Sequence, residues 1–216
     1  MTETRNHDIV EPLLAAYAQG AFPMADPDNG EIAFYRPALR GVIPLSEGGL
    51  KVSRSLRQRV ASEKFRITFD NNFGGVIRAC ANVPRVGQDG SESWISTELI
   101  TWYEALHEAG HAHSVEAWLD RPERTQLVGG LYGISLRGLF AGESMFSRPD
   151  LGGTDASKVC LVHLWNLLRA QGFTLLDCQF YTDHLGSLGC IEIDADEYEQ
   201  RLNSALQAEA TWPQRV

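Results

Sequence analysis

Three strand-like runs crowd into residues 113–147: HSVEAWL, QLVGGLYGIS and GLFAGESMFS, separated only by short turn-forming stretches. Runs this close pair with their chain neighbours, so the segment predicts an antiparallel meander. So apolar a meander must bury surface, and the flanking sequence supplies helices to cover it. Residues 9–19 space Leu13, Leu14, Tyr17 and Ala18 at helical intervals and stop at Gly20. Ser53 is placed to cap a helix in SRSLRQRVASEK, Asn72 to cap FGGVIRACA, and Ser96 to cap STELITWYEALHEAG, which Gly110 ends. Thr154 or Asp155 opens ASKVCLVHLWNLLRAQ, and Asp194 with Glu197 resembles a capping box for a last helix. FRITF, FTLLDCQF and CIEI read as further strands, whereas the Pro-, Asp- and Gly-rich stretch after Gly20 reads as a loop. The order predicts an α+β fold, a mixed sheet flanked by helices. A boundary near residue 60 separates a small basic N-terminal domain (1–60) from the main body (61–216).

At 216 residues and 44% hydrophobic composition the chain is long enough to bury a sizeable core. No apolar run approaches the roughly 20 residues that span a bilayer. The opening MTETRNHDIVE is too polar for a secretory signal, so a cytoplasmic protein with no membrane partner is expected. Cys80, Cys160, Cys178 and Cys190 form no C-x-x-C pair and sit among apolar neighbours, which predicts reduced, mostly buried thiols. The net charge of −9 argues at first against a polyanionic partner, but the charge is uneven. Residues 36–66 hold eight basic residues, among them Lys51, Arg54, Arg57 and Arg59, against only Glu47 and Glu63. That asymmetry suits either a local phosphate-binding patch or a solvated helix face.

Candidate chemistry begins with His107-Glu108-Ala109-Gly110-His111, an H-E-x-x-H string. Zinc would need both imidazoles on one continuous helical face, and Gly110 followed by strand-like sequence ends the helix before His111, so no metal is expected. Gly152-Gly153-Thr154 precedes a helix and could offer backbone N–H groups to a phosphate, but it lacks the R/Q-x-x-G-x-G/A pattern of the acyl-CoA acetyltransferases and reads as a turn. Asp177 and Gln179 stand two apart on an apolar strand, so in extended geometry they leave by the same face. A carboxylate there must be paired or hydrogen-bonded, and orienting a neighbouring amide would satisfy it. Glu143, between Phe140 and Met145, is a second acidic group in apolar company. Two such carboxylates with an amide suit a cationic substrate.

Taken together, ordered motifs cover nearly the whole chain: Ala16-Tyr17-x-x-Gly20-x-Phe22-Pro23-Met24, Ser53-Arg54-Ser55-Leu56, Trp94-Ile95, Ala112-His113-Ser114-Val115-Glu116-x-Trp118, Leu127-Val128-Gly129-Gly130-x-Tyr132-Gly133, Phe140-x-Gly142-Glu143-Ser144-Met145-Phe146-Ser147, Ala156-Ser157-Lys158, Asp177-Cys178-Gln179 and Ser187-Leu188-Gly189. This series resembles the bacterial leucyl/phenylalanyl-tRNA-protein transferases. The resemblance implies a fold related to the acyl-CoA acetyltransferases (GNAT-related) behind a small N-terminal domain. It implies transfer of Leu, Phe or sometimes Met from aminoacyl-tRNA to proteins beginning with Arg or Lys, marking them for degradation by the N-end rule pathway. No metal, CoA or other cofactor is implied, and a monomer is expected.

By the same resemblance Gln179 accepts a hydrogen bond from the incoming amine, Asp177 holds and polarises the Gln179 amide, and Glu143 supplies negative charge near a cationic amino group. The substrate site is expected to draw on Trp94, Leu131, Phe140, Gly142, Met145, Ser147 and Leu176, with Leu131, Phe140, Met145 and Leu176 forming an apolar pocket for Leu or Phe. Lys51, Arg54, Arg57 and Arg59 are expected to meet the tRNA backbone. Two departures stand out. The family's tryptophan-rich W-W-S-P-like segment is Ala33-Phe34-Tyr35-Arg36-Pro37 here, leaving an aromatic contact to Tyr35 or Phe34. Its T-W-I is Ser93-Trp94-Ile95, behind a lengthened loop GQDGSES. Rival functions are the same chemistry on an acceptor beginning with Asp or Glu, an acyl-CoA-dependent N-acetyltransferase, and a non-catalytic tRNA-binding module.

Overall fold

Local capping chemistry sets most of the helix starts. The computed structural model describes residues 3–83 and 93–213; most of the loop expected to be lengthened lies outside the described residues. The Ser53 hydroxyl accepts the Leu56 N–H at the start of α2 (Arg54–Ala61), and Asn72 Oδ1 accepts the Gly75 N–H at the start of α3 (Phe73–Ala81). Ser96 does the same for α4 (Thr97–Glu108), and Asp194 for α7 (Ala195–Ala205). Each satisfies one of the N–H groups that a helix leaves without an internal partner. The long helix α5 (Ala156–Ala170) departs from expectation. Asp155 precedes it with φ 63° and makes no side-chain cap; Ser147, distant in sequence, accepts the Ser157 N–H at 2.9 Å instead. Gly110, with φ 81°, follows the end of α4, so His107 and His111 do not share a helical face.

The stretch after α1 (Glu3–Ala18) is not the expected loop. It forms a hairpin of β1 (Phe22–Ala25) and β2 (Ile32–Tyr35), then β3 (Leu39–Ile43). Further strands are β4 (Arg66–Phe69), β5 (Ala112–Arg121), β6 (Arg124–Leu136), β7 (Leu139–Ser147), β8 (Leu175–Gln179) and β9 (Ile191–Asp194), with a short α6 (Asp183–Ser187) before β9. Seven strands make one sheet in the order β4-β5-β6-β7-β8-β3-β9. The meander β5-β6-β7 is antiparallel as expected, β7 and β8 run parallel, and β3 inserts between β8 and β9. The result is a mixed sheet flanked by helices. Residues 39–43, from the segment assigned to the N-terminal domain, therefore belong to the main sheet.

The two sides of the sheet bury different sets. On one, Leu13 and Tyr17 of α1, Ile77 of α3 and Leu99 and Tyr103 of α4 pack with Ala141 and Phe146 of β7. On the other, Leu56 of α2 and Leu164 and Leu168 of α5 pack with Leu131, Phe140 and Leu176. Helix α7 adds Tyr198 and Leu202 over Val42, Leu175 and Ile193. No helix among the described residues is long and apolar enough to cross a membrane.

The feature that positions the site is a break in the pairing of β7 with β8. Leu139 pairs Leu175, Phe140 pairs Leu176 and Ala141 pairs Asp177; beyond that Gly142 to Ser147 continue beside β6 alone. Both margins of this opening carry a bulge. On β7, Gly142 and Ser144 oppose Gly133 and Tyr132, which leaves Glu143 as the extra residue; on β8, Cys178 is the extra residue opposite Gly41 and Val42. A bulge re-aims side chains and ends regular pairing.

Candidate active site

Glu143 is 8% exposed at the opening. Its carboxylate accepts the Tyr17 hydroxyl at 2.7 Å on Oε1 and the Tyr103 hydroxyl at 3.0 Å on Oε2, and the two phenols lie 2.9 Å apart. Burial raises its pKa from 4.5 to about 7, against the opposing pull of hydrogen bonds from Tyr17, Gln179 and Tyr103. Both tyrosines are buried beside this carboxylate and their pKa values rise well above the ordinary one, so they remain neutral donors. Neither tyrosine stands out in the sequence as a chemical group. Tyr17 reads there as an apolar helix position, and its bond to Glu143 spans 126 residues.

Asp177 is fully buried. Arg40 grips it with Nε on Oδ1 at 2.9 Å and Nη2 on Oδ2 at 2.6 Å, Tyr198 donates to Oδ2 at 2.9 Å, and the Gln179 backbone N–H donates to Oδ1 at 2.7 Å. The expectation that Asp177 holds the Gln179 side-chain amide is therefore corrected: its bond is to the backbone, and its charge is met by Arg40. Gln179 itself is 5% exposed with φ 64°, and its side-chain Nε2 is buried near Glu143 without a well-formed hydrogen bond. A buried donor in that state is ready for a partner that arrives with substrate.

The remaining expected substrate residues divide across the sheet. Leu131, Phe140 and Leu176 are buried in the α5-side core, with Met145 packed at its border, whereas Glu143 turns to the α1 and α4 side. Gly142 stands where the strands part; a Cβ there would meet nothing nearer than the Asp177 carbonyl at 3.5 Å. Ser147 is engaged with α5, donating to the Ser157 hydroxyl at 3.0 Å as well as accepting its N–H. Trp94 is buried in the core beneath α1 and α4.

Against this geometry, comparison with known proteins is decisive. The family described as Leucyl/phenylalanyl-tRNA protein transferase matches residues 42–203, and the corresponding N-terminal domain family matches residues 10–38. The chain belongs to the leucyl/phenylalanyl-tRNA protein transferase family. It is 48% identical over 200 residues to the Leucyl/phenylalanyl-tRNA--protein transferase of Herpetosiphon aurantiacus, covering 93% of this chain and 95% of that one. It is 49% identical over 203 residues to that of Gluconobacter oxydans, covering 93% and 84%. Among solved structures it is similar to FemX, with a TM-score of 0.54 at 11% identity, covering 85% of this chain and 66% of that one, a likeness of fold.

In this transferase the basic segment is less open than its composition suggests. Arg40 is the buried partner of Asp177, Arg36 pairs Glu199, Arg66 pairs Asp120, and Lys64 donates to the Gly152 carbonyl. Lys51, Arg54 and Arg57 are exposed, without an ion pair among the described residues, and Arg59 is half-buried. Beside Gln179, the exposed rings of Tyr35 and Phe180 pack against the buried Phe22, and their chain neighbours Phe34 and Tyr181 are also at least 40% exposed. A cavity of about 720 Å³ lies elsewhere, at the β6–β7 hairpin, lined by His107, His113, Ser135 and Trp212; none of the expected site residues lines it.

Proposed function

We propose that this enzyme moves Leu or Phe from aminoacyl-tRNA to the α-amino group of proteins beginning with Arg or Lys, marking them for degradation. The observation that carries the reading is Glu143, a buried carboxylate with a pKa of about 7 at the parting of β7 and β8, beside the buried Gln179 amide, which lacks a well-formed hydrogen bond. An arriving ammonium favours the ionised carboxylate, so the site gains most from a cationic ligand. An acceptor beginning with Asp or Glu would bring a second negative charge to the same place.

The reaction is aminolysis of an ester. The α-amino nitrogen, with a reference pKa of roughly 8, attacks the aminoacyl carbonyl carbon in its neutral form. The bond to the ribose oxygen then breaks, and the proton lost by the nitrogen passes to that oxygen. Gln179 aims the reacting groups by hydrogen bonding, and Glu143 draws in the amino group while it is still cationic, before it gives up its first proton to solvent; neither forms a covalent bond. The Leu or Phe side chain enters between the parted strands past Gly142 toward Met145, Leu131, Phe140 and Leu176. The exposed aromatic surface at Tyr35 and Phe180 suits the terminal bases of the tRNA, and Lys51, Arg54, Arg57 and Arg59 suit its backbone. The mixed sheet with its parted central strands fits an acetyltransferase-like fold in which aminoacyl-tRNA takes the place of acyl-CoA.

The test is transfer of labelled leucine from Leu-tRNA to peptides beginning with Arg, Lys, Asp or Glu. Label on the basic pair alone supports the reading; label on the acidic pair alone sinks the acceptor assignment.

A further inference from the structure

Arg40 is 2% exposed, on a strand between two others, and its guanidinium is held by hydrogen bonds on its edges and by aromatic rings. Nε and Nη2 hold both Asp177 oxygens, Nη1 donates to the Gly20 carbonyl at 2.8 Å, and Cζ lies over the rings of Phe22 and Tyr198, at 4.7 and 4.4 Å from their centroids. Asp177 Oδ1 in turn accepts the Gln179 N–H. Gln179 needs that restraint. Its φ of 64° is in the left-handed region, and the Phe180 N–H bonds the Cys178 carbonyl at 2.8 Å, making a γ-turn centred on Gln179. A positive-φ γ-turn at a non-glycine residue is strained and persists only where its surroundings over-determine it. Gly41, the next residue after Arg40, backs the same turn: a Cβ there would stand 2.8 Å from the Phe180 carbonyl carbon.

We propose that Arg40 is a positioning residue of the transfer reaction, acting through Asp177 to hold the strained Gln179 turn and aim its amide into the opening beside Glu143. Asp177 then works through the backbone of Gln179, with no acceptor left for substrate. The proposal rests on the transfer reading above.

The experiment is a double-mutant cycle in the Leu-tRNA transfer assay, using Arg40→Lys, Gln179→Ala and the pair. Lysine keeps the charge but loses the fork and the stacking. Arg40→Lys should lower kcat about tenfold or more, with KM for Leu-tRNA changed by less than about twofold. The double variant should be no slower than Gln179→Ala alone, because the two act on one event. Tyr198→Phe, which removes only one bond to Asp177, forms a second cycle should Arg40→Lys fail to unfold cooperatively in urea. Losses that multiply in the cycle, or an undiminished kcat in Arg40→Lys, would overturn the role while leaving the transfer reading intact. Absence of transfer by the unmodified protein would remove that reading and this role with it.

Discussion

The Tyr17 hydroxyl donates to Glu143 Oε1 at 2.7 Å, joining the first helix to the seventh strand at the point where the sheet opens. With Tyr103 on the other oxygen, the carboxylate is satisfied without a countercharge. It is buried, polar and poised to ionise near neutrality.

That poise gives a stability signature. A folded-state pKa of about 7 against an ordinary 4.5 means the folded protein binds the proton more tightly between those values. Unfolding is therefore favoured progressively as pH rises from about 4.5 to 7, by up to roughly 3 kcal/mol, and the loss is complete above 7. Urea unfolding of the wild type and Glu143→Gln across pH 5 to 8 should show the wild type losing stability relative to the variant. Parallel curves would contradict the assignment.

Tyr17→Phe or Tyr103→Phe removes a donor that favours the ionised carboxylate. The Glu143 pKa should then rise further, by about one unit for a hydrogen bond to a charged group. The acid limb of the kcat/KM profile for transfer should move up by a similar amount. An unmoved limb would show that Glu143 does not govern it.

Replacing Lys51, Arg54 and Arg57 together by Gln should weaken Leu-tRNA binding and flatten its dependence on salt. For every phosphate that these side chains neutralise, the slope of log K against log salt should fall by about one. An unchanged slope would place the tRNA elsewhere.

Gly129 on β6 faces the start of α5, where a Cβ would run into the Ala156 side chain. Gly129→Ala should cost about 1 to 3 kcal/mol in urea unfolding, because backbone and helix must separate to admit it. No change in stability would mean that α5 sits more loosely on the sheet than Ser147 and Ser157 suggest.

What is legible in the sequence is local. The meander declares itself by three close strand-like runs, and Ser53, Asn72, Ser96 and Asp194 mark their helices through hydrogen bonds three residues long. The site is half legible: Glu143, Asp177 and Gln179 stand out as polar groups on apolar strands, but their partners do not. Arg40 meets Asp177 across 137 residues, and no local pattern encodes such a pair. Composition actively misleads there, counting the buried Arg40 toward a surface patch. β3 escapes a sequence reading because a five-residue strand after a turn-rich stretch gains its pairing only once β8 and β9 are in place. The division of Phe140 and Leu176 from Glu143 depends on bulges that sequence periodicity does not reveal.

The most direct measurement is transfer of radiolabelled leucine from Leu-tRNA to a peptide beginning with Arg, with and without RNase pretreatment. Label should appear on the peptide, vanish after RNase, and fall sharply for Gln179→Ala in protein that still unfolds cooperatively. Label that never leaves the tRNA, or acylation of the peptide from acetyl-CoA that ignores RNase, would contradict the account.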